Sequence, residues 1–171
     1  MLSRVYKALL KVYKRFPRTV RRRIVRLLAP SFTVGAICVI ERADDGAVLL
    51  VRQAYRRGWG LPGGLTKRGE EIGDCARREV LEEVGIPVEL IGEPAVVVDA
   101  KPRRIDVVFQ ARPADHVDPV DVAPTSAEID EARWFPREEL PELQHETVGA
   151  LVALARLTNE RGIQAVTRPA V

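Results

Sequence analysis

Cysteine is scarce in this chain. Cys38 and Cys75 are the only two among 171 residues. Both lie in apolar or small-residue contexts, so they read as two buried thiols rather than a disulfide, and their spacing offers no zinc site. That usage points to a reducing compartment. Aromatic residues make up only 5%, so the core has to be assembled from Val, Leu, Ile and Ala. No apolar run approaches the ~20 residues of a membrane-spanning helix. Nor does an A-x-A site follow a long apolar stretch, so secretion is not expected. The length suits one domain with a sizeable core, and no internal repeat is visible.

Acid is missing from one region altogether. Residues 1–30 hold ten Lys/Arg and no Asp/Glu, while the other 141 hold 17 basic and 24 acidic side chains. The formal net charge of +3 therefore joins a basic arm to an acidic domain of charge −7, and does not by itself indicate a nucleic-acid binder. In the arm, Leu2, Val5, Tyr6, Leu9, Leu10, Tyr13 and Phe16 recur at helical spacing between basic residues. Pro17 interrupts, and a second basic helix, with Val20, Ile24, Leu27 and Leu28 apolar, runs to a stop at Pro30. Such an arm suits an anionic membrane surface. It equally suits a helical hairpin packed on the domain or on a second copy as a homodimer. An acid-poor, Arg-rich start also has the look of a transit peptide, although serine is scarce. The expected location is cytoplasmic, or peripheral at the membrane.

The rest of the chain alternates strand and helix signals. Phe32–Ile40 is β-branched and apolar; Asp44-Asp45-Gly46 supplies a hairpin turn, and Ala47–Gln53 is expected to return as its partner strand. Val88–Ile91, Ala95–Val98 and Ile105–Ala111 read as further strands, with Lys101-Pro102-Arg103-Arg104 as a basic turn. Residues 112–126 form a Pro/Asp-rich loop, Glu128–Phe135 a last strand, and His145–Glu160 a last helix ending at Gly162. The organisation expected is an arm over 1–30, a domain over 31–160 and a loose tail over 161–171.

The chemistry concentrates in GLTKRGEEIGDCARREVLEEVGI, from Gly64 to Ile86. A helix from about Ile72 to Gly85, with Pro87 just beyond, would place Glu79, Glu82 and Glu83 within about a 100° arc. Three carboxylates so close repel one another unless cations neutralise them. Oxygen-only ligands suit Mg²⁺ or Mn²⁺, and Mg²⁺ commonly pairs with substrate phosphates, so a diphosphate substrate is the natural expectation. Ile72, Cys75, Ala76, Val80 and Val84 would pack the opposite face on a sheet.

Gly64, five residues, Glu70, seven residues, then Arg78-Glu79-Val80-Leu81-Glu82-Glu83-Val84-Gly85-Ile86 resembles the complete Nudix box. The resemblance implies an α+β fold, a Nudix-type α/β/α sandwich with a mixed central sheet. It implies hydrolysis of a nucleoside diphosphate linked to a further group, such as a nucleotide sugar (ADP-ribose), a dinucleotide or a nucleoside triphosphate. Metal would be held by Glu79, Glu82, Glu83 and the carbonyl of Gly64. Glu70 would brace the loop, Arg78 would orient a carboxylate, and Glu128, with Glu131 as runner-up, would serve as the extra downstream glutamate. Substrate contacts are expected from Arg52, Arg56, Arg57, Lys67 and Arg103. Trp59 would either stack on a base or cover the core. The partner expected is a small nucleotide, with no specific nucleic acid. Two other readings stay open: a Nudix-fold binding or regulatory protein, and a membrane-surface hydrolase of a lipid-linked diphosphate.

Overall fold

The computed structural model describes residues 2–115 and 122–167, which divide into two compact units, residues 1–32 and 33–171. The first contains helices α1 (Leu2–Arg15) and α2 (Arg18–Leu28). Pro17 cannot donate to a preceding turn and separates them. The Arg21 guanidinium lies 5.9 Å from the centre of the Tyr13 ring. Leu27 and Leu28, by contrast, are more than four-fifths exposed.

The second unit contains β1 (Thr33–Ile40), β2 (Val48–Gln53), β3 (Gly63–Leu65), α3 (Ile72–Val84), β4 (Val88–Asp99), β5 (Arg104–Pro113), β6 (Ile129–Phe135) and α4 (His145–Thr167). β1 is central. It pairs antiparallel with β3 and parallel with β5, which pairs antiparallel with β4, giving a mixed sheet β3-β1-β5-β4. Successive side chains on a strand point to opposite faces. Ala36, Cys38 and Ile40 of β1 accordingly join a core with Cys75, Ala76, Val80 and Val84 of α3. Ile37 and Val39 join a second core with Ala150 and flanking apolar residues of α4. The fold is thus the α+β, α/β/α sandwich expected.

Three local expectations are corrected. The Asp44-Asp45-Gly46 turn forms, with Gly46 N–H donating to the Arg42 carbonyl. Yet β2 meets the β1 side only at the bridge Glu41–Val48 and then pairs antiparallel with β6. Both edges of β1 are already taken, by β3 and β5, so β2 pairs with β6, whose residues lie 76 to 87 positions further along the chain. Val88–Ile91 and Ala95–Val98 are one strand with a register shift between Ile91 and Ala95. α4 continues through Gly162 to Thr167, because one glycine costs a helix only about 1 kcal/mol. Residues 116–121 of the Pro/Asp-rich loop and 168–171 of the tail lie outside the described residues. No helix among the described residues is long and apolar enough to cross a membrane.

Candidate active site

α3 carries the acidic face. It ends as its sequence dictates, with Gly85 in the left-handed conformation and its N–H bonded to the Leu81 carbonyl. Thr125 closes the end from the far side: its backbone N–H donates to the Glu83 carbonyl at 3.0 Å, and its hydroxyl to the Glu82 carbonyl at 2.9 Å. The sheet-facing side of α3 is buried through Cys75, Ala76, Val80 and Val84, which leaves Glu79, Glu82 and Glu83 along a cavity of about 510 Å³.

Glu83 is the buried member, only 6% exposed. Its carboxylate accepts the Gly63 N–H at 3.0 Å. Burial nevertheless pushes its pKa up to about 8, and the neighbouring carboxylates of Glu79, Glu128 and Glu82 push the same way. Glu79 lies against the backbone of Gly64: a Cβ on Gly64 would stand 2.4 Å from the Glu79 carboxyl carbon. Arg78 ties the group together. Its Nε and Nη2 grip the two oxygens of Glu70 at 2.6 and 3.0 Å, while Nη1 donates to Glu79 at 2.7 Å and to Glu82 at 3.0 Å. Glu70 also accepts the Lys67 N–H at 2.8 Å, and the Arg78 contact holds its carboxyl down near 2. Glu70 therefore braces the loop that leads into α3.

The chemistry of this donor set fits a hard divalent cation: three carboxylates and a glycine carbonyl, with no thiolate or imidazole among them. Among the described residues, no three such side chains are gathered closely enough to hold an ion as they stand. Arg78 bridges Glu79 and Glu82 instead and supplies the positive charge that their proximity demands. The two cysteines are free and buried, Cys38 with its pKa pushed up to about 12 by burial.

The remaining expected residues separate into two groups. Arg56, Lys67 and Glu128 line the cavity with the α3 glutamates. Lys67 Nζ is 3.5 Å from Glu82, and Arg56 pairs with Glu146 at 2.5 Å. The structure does not bring Arg52, Arg57, Trp59 or Arg103 to this cavity. Arg52 is salt-bridged to Glu131, its ladder partner on β6, and Glu131 also pairs with Arg133 at 2.5 Å. Trp59 packs edge-on against Phe135, ring centres 4.8 Å apart, in the core beneath α4. Arg103 is exposed in the β4–β5 turn, with φ of 66°. Sequence reasoning missed Gln53, Tyr55, Arg104, Gln144 and Thr147, which do line the cavity. For Arg104 a signal existed: strand parity places it on the face of Asp106 and Val108, one residue past Arg103.

A mixed sheet thus lies between two helices, with an arginine-bridged row of glutamates along the second half of α3. Residues 31–155 match the family model described as the NUDIX domain, and the chain belongs to the NUDIX family. It is 36% identical over 113 residues to human 8-oxo-dGDP phosphatase NUDT18, a match covering 61% of this chain and 33% of that protein. It is 31% identical over 113 residues to a MutT-like protein of Streptomyces ambofaciens, covering 66% of this chain and 70% of that one. Among solved structures, a NUDIX hydrolase from Nitrosomonas europaea superposes with TM-score 0.62 at 28% identity, covering 72% of this chain and 69% of that one. The match to the human relative thus spans about a third of its length.

Proposed function

We propose that the chain is a divalent-metal-dependent pyrophosphohydrolase acting on a nucleoside diphosphate linked to a further group. The observation that carries this reading is the cavity itself. Glu79, Glu82, Glu83 and Glu128 lie on its acidic wall, and Lys67, Arg56 and Arg104 line it too. Water adds to one phosphorus, the bridging P–O bond breaks, and the bridging oxygen leaves with the other phosphate. The products are two phosphate monoesters and a released proton.

Mg²⁺ or Mn²⁺, held by Glu79, Glu82, Glu83 and the Gly64 carbonyl, would neutralise the diphosphate and acidify bound water. The chain's own residues do the rest. Glu128, facing the α3 glutamates from the loop before β6, takes the proton of the attacking water. Lys67 and Arg104 hold phosphate oxygens and stabilise the charge that shifts to the leaving phosphate. Arg78, fixed by Glu70, keeps Glu79 and Glu82 in place. Burial holds Glu83 poised near neutrality until positive charge arrives.

A purely binding or regulatory role is disfavoured by the intact set of box glutamates. The experiment is a screen of ADP-ribose, dinucleotides, nucleoside diphosphates and oxidised (d)NTPs with Mg²⁺, comparing wild type with Glu82→Gln and Glu83→Gln. Mg²⁺-dependent release of a monophosphate that falls at least about a hundredfold in either variant supports the reading. Tight nucleotide binding without turnover by wild type would replace it with the regulatory one.

A further inference from the structure

On α2 the apolar residues Val20, Ile24, Leu27 and Leu28 recur at i, i+4, i+7 and i+8, so they share an arc of about 100°. Arg21 and Arg23 border this stripe, while Arg18, Arg22 and Arg26 lie on the opposite side. No residue of α2 is buried, and Leu27 and Leu28 are 84% and 81% exposed. On α1, Leu10, Val12 and Phe16 are exposed as well. A helix of 11 residues is marginal in water by itself and draws most of its stability from a covered apolar face. The stripe therefore calls for an apolar phase.

The cations make a separate demand. Tyr13 of α1 and Arg18, Arg21, Arg22, Val25 and Arg26 of α2 line a cavity of about 530 Å³. Arg21 Nε is shut off from water and has no hydrogen-bond partner. The Tyr13 ring beneath its guanidinium, 5.9 Å away, offers a π-face but no acceptor oxygen. The arm holds no counter-charge of its own, since residues 1–30 contain no Asp or Glu. Guanidinium N–H groups form charge-assisted bonds with phosphate oxygens, so the missing acceptor has the chemistry of a phosphate.

One partner has to satisfy both demands. RNA presents phosphates but no cover for Leu27 and Leu28. A second copy of the arm presents an apolar stripe but brings ten more positive charges. An anionic bilayer surface presents both, with acyl chains beneath and headgroup phosphates around them. The 11 residues of α2 extend only about 16 Å, half the thickness of the hydrocarbon core, so the helix suits lying along that surface and not crossing it.

We infer that the arm is an interfacial anchor for an anionic lipid bilayer. The stripe of Val20, Ile24, Leu27 and Leu28 enters the boundary between headgroups and acyl chains. Arg21 and Arg23 reach lipid phosphates at its edges, and the other basic residues add long-range attraction. The anchor is independent of what the acidic cavity hydrolyses, because every residue lining that cavity is at Ile37 or beyond.

The test uses the full chain and sedimentable vesicles of phosphatidylcholine, alone or mixed with an equal amount of phosphatidylglycerol. Partitioning onto the anionic vesicles should exceed that onto neutral ones at least about tenfold. It should fall by at least about tenfold on raising salt to about 1 M, where screening confines charge attraction to about 3 Å. Leu27→Gln combined with Leu28→Gln leaves the charge unchanged and alters only exposed positions. This pair should lower anionic partitioning at least about tenfold, with the melting of the domain unchanged. Arg21→Gln combined with Arg23→Gln should weaken it comparably, whereas Arg21→Lys with Arg23→Lys should keep most of it, because a bilayer responds chiefly to charge. Equal partitioning onto neutral and anionic vesicles, or no loss in the leucine pair, overturns the anchor. Failure to bind anionic vesicles also overturns it. In that event salt-sensitive binding of a single-stranded RNA oligonucleotide makes the arm a nucleic-acid surface. A dimer in sedimentation equilibrium that the leucine pair dissociates would instead assign the stripe to a second copy.

Discussion

The Glu79 carboxylate occupies the space that a side chain on Gly64 would need: a Cβ there would lie 2.6 Å from each of its oxygens. Gly64→Ala must therefore push the carboxylate away from its place against Gly64. The displaced group is the end of a flexible side chain, so the fold should survive, with melting close to that of wild type. Catalysis should not, since a misplacement of about 1 Å can cost about a hundredfold. The expected outcome is a kcat reduced by about that factor and a higher Mg²⁺ concentration at half-maximal rate. An alanine variant with wild-type rate and metal dependence would separate Gly64 and Glu79 from the chemistry.

Glu83 makes metal-free stability depend on pH. Its folded pKa is raised to about 8 by burial from an ordinary value near 4.3. The unfolded chain ionises first, so the folded state binds the extra proton and stability falls as pH rises from about 4.5 to 8. In the presence of chelator, Tm should drop across that window, and Glu83→Gln should flatten the drop while raising Tm at pH 8. Mg²⁺ added at pH 8 should stabilise wild type and do little for the variant. A chelated wild type whose Tm is level between pH 5 and pH 8 would contradict the burial argument.

The two candidate downstream glutamates are in different situations. Glu128 lines the cavity and its charge reaches Glu83, whereas Glu131 is engaged by Arg52 and Arg133. Glu128→Gln should lower kcat more than it raises KM, because a proton acceptor acts chiefly in the transition state. Glu131→Gln should leave kcat within a few-fold and at most loosen the β2–β6 edge. Steady-state kinetics on both variants decide it, and a larger kcat loss in Glu131→Gln reverses the assignment.

The elements that the sequence made legible are those whose signals are local. α3 was readable because apolar spacing, Gly85 and Pro87 all agree, and the same agreement put Glu79, Glu82 and Glu83 on one face. The partner of β2 was not, because a turn such as Asp44-Asp45-Gly46 encodes a reversal but not which edge is vacant. β4 was read as two strands since Gly92 and Pro94 look like breakers, yet the strand absorbs them as a register shift. In the site, the residues that Arg78 binds were foreseeable from the box spacing. Arg104 was passed over for its neighbour Arg103, although strand parity, which puts Arg104 on the face of Asp106, was the signal available. Trp59 carried an ambiguous signal, and Phe135, 76 positions later, is what occupies its ring.

The basic arm can be tested by removing it. Every residue lining the acidic cavity is at Ile37 or beyond, and residues 1–32 form their own compact unit. Deleting residues 1–31 takes away all ten basic residues of that stretch and leaves a domain of formal charge −7. Hydrolysis of a small soluble nucleotide should then keep kcat/KM within about twofold, because no group in contact with substrate has been lost. The melting transition of the domain should also persist. What should change is surface behaviour: the truncated domain should bind an anion exchanger and lose retention on a cation exchanger. The arm's own apolar side chains, Val25, Leu27 and Leu28 among them, are exposed, so solubility and sedimentation of the two forms, with and without anionic vesicles, report what covers them. A tenfold or greater loss of kcat/KM in the truncated domain, with its melting unchanged, would mean that the arm contributes to the site and would overturn this division of labour.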